Sequence, residues 1–186
     1  MAVGLLILRG VVGALVAGHG AQKLFGLFGG DGIEGTAGFM ESLRYRNGRV
    51  AAIAAGVAET VGGLLLILGF LTPLAAAAII GVMLAAIATV HVRKGLWNTN
   101  GGMELPLVYA IVALALGFTG AGAFSVDRLL GLDLAGPAYG AVALVLGVFA
   151  GLYALAVRRP EPDQRRPDLD GRSKAEPTRT VNRVAA

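Results

Sequence analysis

The chain has 186 residues, 55% of them hydrophobic and 15% charged, with a mean hydropathy of +0.70, which lies outside the range of soluble domains and marks an integral membrane protein. The lack of cysteine excludes disulfides, thiolate-held iron–sulfur clusters and a dithiol relay, so any redox role needs a borrowed cofactor. The net charge of +4 comes from basic residues at the ends of apolar runs and in the tail, the pattern of topology determinants and of attraction to anionic lipid rather than to nucleic acid.

Five apolar runs are predicted to cross the bilayer as helices, near residues 3–22, 50–71, 73–92, 104–120 and 137–157, the fourth being the shortest. The first has no Lys or Arg ahead of its apolar core and carries Arg9 within it, the reverse of a cleaved signal, and is expected to be retained. Where that run ends stand His19, Gln22 and Lys23. Between the first two spans, Thr36 to Asn47 sets Phe39, Met40 and Leu43 at helical spacing opposite Glu41, Ser42 and Arg44. Either a short amphipathic helix on the inner membrane face or a polar loop that is helical by chance accounts for that pattern. Pro73, Pro106 and Pro137 stand at or next to the starts of later spans, where a missing N–H is harmless. The loop 120–136 exposes Phe124, Leu129, Leu130 and Leu132 and is expected to rest on lipid. The segment 158–186 is basic, contains proline, mixes charges of both signs and has no aromatic residue, so it is expected to be a disordered cytoplasmic tail.

With the tail inside and five spans, the inner loops hold Lys23, Arg44, Arg46, Arg49, Arg93 and Lys94, and the outer ones only Arg128. The positive-inside rule then gives an N-out, C-in, multi-pass protein.

Helices in lipid approach through small residues four apart. Such stripes run through Gly10, Ala14 and Gly18; Ala55, Glu59 and Gly63; Ala77, Gly81, Ala85 and Thr89; and Ala143, Gly147 and Gly151. Arg9 lines up with Gly13, Ala17 and Ala21, and Glu59 lies on its own helix's stripe, so both charges should face protein. Counting from the outer boundary puts Arg9 roughly 9 Å and Glu59 roughly 17 Å deep. These depths predict a buried Arg9–Glu59 ion pair, whose role is either functional or confined to helix registry.

A second polar group is expected near the inner boundary: His19, Gln22 and Lys23 from the first span, His91 closing the third, Trp97 beyond it, and Glu104 opening the fourth. Such a set suits a carbonyl-bearing headgroup, with His or Lys donating to a quinone oxygen, the indole packing on the ring and a carboxylate moving the proton. Trp97 reads equally as an interfacial anchor. Two imidazoles and one acid on separate helices offer no ligand spacing, and neither metal nor haem is expected. No phosphate loop and no Ser-His-Asp arrangement can be argued.

The runs LRGVVGALVAGHGAQKLFGLFGG, GTAGFMESL, AGVAETVGGLLLILGFLTPLAA, VHVRKGLWNTNGGMELPLVYA and TGAGAFSVD resemble the DoxX family of small bacterial membrane proteins, over Leu5 to about Asp127. The resemblance implies an all-α, four-helix DoxX/DoxD-like core, to which this chain adds a fifth C-terminal span and the tail. It also implies association with membrane oxidoreductase systems such as thiosulfate:quinone oxidoreductase. Positions matching the family's polar motifs are Arg9, His19, Gln22, Lys23, Glu59, His91 and Glu104. The expected function is a quinone-linked membrane subunit in the bacterial plasma membrane, partnered by a redox protein, with self-association into a homo-oligomer also compatible. A non-enzymatic scaffold or anchor, and a small transporter or proton pathway, remain the alternatives.

Overall fold

A computed structural model describes residues 2–160, and the predicted tail from residue 161 onward lies outside them. Among the described residues the chain is helical and has no strand: α1 Ala2–Phe25, α2 Gly32–Ser42, α3 Gly48–Leu68, α4 Thr72–Ala86, α5 Glu104–Thr119, a single turn α6 Val126–Leu129, and α7 Pro137–Ala156. α1, α3, α7 and the stretch from Thr72 to Lys94 that contains α4 are each long and apolar enough to cross a membrane. α5 is equally apolar, but its 16 residues rise only about 24 Å.

α4 is the centre. Its Ala75, Ala76 and Ile79 are wholly buried, and α3, α5 and α7 all pack on it, α7 most extensively. α3 and α7 lie against α4 but scarcely against one another. On the other side of α3 lies α1. Outward faces such as Ile7 and Leu15 of α1 and Phe149 and Leu152 of α7 are apolar and exposed, as in a bundle solvated by lipid.

The close approaches are made by glycine. A Cβ on Gly63 would lie 2.5 Å from the Gly13 carbonyl oxygen and 2.6 Å from the Ala17 nitrogen, so α1 and α3 touch backbone to backbone. At the α4–α7 contact, Gly81 faces Ala150 and Gly147, and Gly147 faces Ile80. The stripe Ala143, Gly147, Gly151 is buried as expected. In α1 the contact face is Gly13, Val16 and Gly20 instead of Gly10, Ala14 and Gly18, and both Gly10 and Gly18 have open space beside them. Two rows of alanine and glycine run along this helix, Gly10–Ala14–Gly18 and Gly13–Ala17–Ala21, and composition could not choose between them.

The predicted amphipathic segment forms α2, shifted toward the N-terminus. It buries Thr36 and Ala37 against its neighbours. Glu34 of α2 meets Arg49 of α3 at 2.9 Å, an exposed pair of small energetic weight.

Candidate functional site

Side chains on a helix lean toward its N-terminus. Lys23, two residues from the end of α1, therefore leans back into the bundle, and Glu59 on α3 leans down toward it, because α3 starts at the end where α1 finishes. Lys23 Nζ donates to Glu59 Oε2 at 2.5 Å, and to the His19 carbonyl oxygen at 3.4 Å. The Glu59 side chain is 6% exposed and that of Lys23 26%. A buried carboxylate is thus matched by a cation that keeps one side free.

The same rule overturns the predicted Arg9–Glu59 pair. Arg9 leans toward the N-terminus of α1, away from Glu59, and matched Cα depths concealed this. It is 1% exposed, with its guanidinium against Gly69, where α3 ends and a Cβ would overlap it. Nε and Nη1 are buried without a hydrogen-bond partner. The C-terminal end of the α3 dipole and the carboxylate of Asp127 supply the compensating field.

Asp127 was not singled out by the sequence. From the α6 turn it reaches under the start of α4, accepting from the Leu71 and Thr72 backbone N–H groups at 2.8 and 3.2 Å and from Thr72 Oγ1 at 2.8 Å. Its own N–H donates to the Gly69 carbonyl at 2.9 Å. Leu71 takes a left-handed conformation, φ 47°, which a leucine holds only where surrounding bonds impose it. The signal that could have found this knot is a lone acid in an apolar loop beside a helix start. Ser125 is the N-cap that shapes the turn, accepting from Arg128 N at 3.2 Å. The loop itself leaves Phe124, Leu129, Leu130 and Leu132 exposed.

At the opposite end the helices enclose a cavity of about 740 Å³. Its polar lining includes His19, Lys23, Glu59, Thr89, His91 and Tyr109, and most of the rest is alanine, valine and other apolar side chains from α3, α4 and α7. His19 Nδ1 donates to Gln22 Oε1 at 3.1 Å, since a carbonyl oxygen only accepts, which leaves Nε2 as the ring's acceptor. Gln22 Nε2 in turn donates to the Phe28 carbonyl. Tyr109, buried on α5, meets the His19 ring edge-on at 6.3 Å between centroids. A tyrosine within an apolar span was its only sequence signal. α4 continues into a π turn, Ile87–His91, whose extra residue per turn widens the helix where it borders the cavity. His91 Nδ1 donates to the Gly101 carbonyl at 2.7 Å.

Of the predicted group, His19, Lys23 and His91 line one cavity, joined there by Glu59, and Gln22 stands behind His19. Trp97 and Glu104 do not belong to it. Trp97 is 62% exposed and lies outside the lining, so no indole packs on a bound ring there. Glu104 turns to its own loop and accepts from Asn98 N at 2.9 Å. Among the described residues no three His, Asp or Glu side chains converge as metal ligands.

Beside the cavity, the α2–α3 connection is clasped to the end of the described chain. Arg159 N donates to the Arg44 carbonyl at 2.8 Å, Arg158 Nε to the Leu43 carbonyl at 2.8 Å, and the Arg158 guanidinium lies 5.9 Å from the centre of the Tyr45 ring. Burial pushes the Tyr45 phenol above its ordinary range, partly offset by the Arg158 charge.

A model of the DoxX family matches residues 4–92, from the first turn of α1 through α4. An uncharacterized protein of Haemophilus influenzae is 41% identical over 107 residues, covering 52% of this chain and 78% of that protein. No solved structure matches the chain.

Proposed function

The chain belongs to the DoxX family, and from that premise we propose that it is the membrane subunit of a quinone-linked redox system, receiving electrons from a partner protein because it has no cysteine of its own. The observation that carries the reading is the Lys23–Glu59 pair in the wall of an apolar cavity large enough for a quinone ring. A quinone carbonyl is a neutral acceptor. Lys23 has donor capacity beyond its bond to Glu59, and Tyr109 and His19 stand beside it. In this reading Lys23 holds the carbonyl oxygen, Glu59 positions Lys23 and takes or returns a proton, and the alanine-rich walls limit access of water. The N-terminus faces outward and the C-terminus inward across the bacterial plasma membrane, as the basic loops favour.

The test is equilibrium binding of a tail-less benzoquinone and naphthoquinone to the full chain in nanodiscs, against empty nanodiscs. Binding above that background is expected, weakened about tenfold in Glu59→Gln, equivalent to roughly 1.4 kcal/mol. If wild-type protein binds no more than lipid alone, the quinone assignment is wrong. If a Lys23→Met/Glu59→Gln pair of substitutions leaves binding intact, the charges serve only to fix α1 against α3.

A further inference from the structure

The cavity is larger than a ring needs, and its shape is uneven. Lys23 and Glu59 meet between α1 and α3, Arg46, Asn47 and Asn98 border the space from the loops, and an apolar part runs between α3 and α7 over α4. There the walls are small: Ala54 and Ala58 on α3, Ala150 and Ala154 on α7. Ala54 and Ala150 line the cavity yet are exposed, so the space opens sideways between the two helices, on a face that carries the exposed apolar side chains Val57 and Phe149. That opening exists because α3 and α7 both pack on α4 and scarcely on one another. The α7 wall lies outside the residues the family model matches.

We propose that this side opening holds the polyprenyl tail of the quinone whose head lies at Lys23, so that α7 makes the site selective for long-tailed quinones. The inference rests on the quinone reading above. An occupant with a polar head and an apolar tail fits a cavity whose buried ion pair lies between α1 and α3 and whose lateral mouth between α3 and α7 is walled by alanine. At the buried Lys23–Glu59 pair a phospholipid headgroup is disfavoured by charge, the lining's other basic side chain, Arg46, being exposed and borne on the α2–α3 loop. Glu59 already neutralises Lys23, and a phosphate brought beside the pair would meet a buried carboxylate. A neutral carbonyl head meets no such repulsion.

The experiment compares one quinone headgroup with and without a polyprenyl tail, binding to the full chain in nanodiscs at equal mole fraction in the bilayer, so that partitioning cancels. Wild type is expected to bind the tailed compound roughly tenfold more tightly. Ala54→Leu, which places a larger side chain in the opening, should abolish that preference and leave tail-less binding unchanged. Val61→Leu, on the same helix but outside the cavity lining, should preserve both. Equal binding of the two compounds to wild type, or an equal loss of both in Ala54→Leu, overturns the tail site while the head site stands. Competition by phospholipid as strong as by tailed quinone overturns it in favour of a lipid site. Binding of neither compound overturns the quinone reading itself.

Discussion

The two ends of this bundle dispose of their charges in opposite ways. At the Asp127 end every acceptor bond of the carboxylate goes to backbone or hydroxyl donors of the α3–α4 connection, and Arg9 is sealed beside it. At the Lys23 end the charges satisfy each other and still border open space. A polar group consumed by its own fold is structural. One that keeps a free side toward a cavity can meet a ligand, and this difference separates the two ends although each buries charge among apolar helices.

The comparison breaks first at Asp127. Replacing it with Ala removes three accepted hydrogen bonds and leaves the buried Arg9 only the α3 dipole for compensation, so a loss of about 3–5 kcal/mol is expected, read as unfolding in detergent by denaturant titration. Arg9→Leu should be milder, since Asp127 retains its donors. A reversed order would mean that Arg9, not Asp127, is the anchor of that end.

The α1–α3 contact, which holds both ends in register, comes next. Gly63→Leu must push α1 away from α3 and should lower stability by roughly 1–3 kcal/mol, whereas Gly10→Leu, beside open space, should stay within about 0.5 kcal/mol. Thermal unfolding of the two variants side by side decides which glycine row is the interface.

At the Lys23 end the expected stability effects are smaller. Glu59→Gln keeps the shape and a hydrogen-bonding side chain, and Lys23 can turn into the cavity, so stability should fall by about 1–2 kcal/mol while quinone binding falls about tenfold. A stability loss matching that of Asp127→Ala, with binding unchanged, would make both ends structural. The smallest effect is expected at Trp97. Trp97→Ala should leave binding and unfolding within about 0.5 kcal/mol of wild type, checked by the same two measurements.

Hydropathy and length placed the long helices within a few residues of their observed bounds, because a run of apolar side chains with its backbone bonds satisfied internally has one stable form in lipid. The α4–α7 stripe was legible for the same reason, small residues being what lets two helices meet without a hydrophobic drive. His19, Lys23 and His91 were also legible, as ionisable groups at the edge of apolar runs. Partner choice was not. It depended on which way each side chain leans along its helix, which sends Lys23 to Glu59 and Arg9 away from it, and on a loop that returns Asp127 across some 55 residues to the start of α4. The sequence by itself determined that the charges must be answered inside the bundle. Only the tertiary structure decided which group answers which, because depth along a helix is additive in residue number while direction and loop return are not.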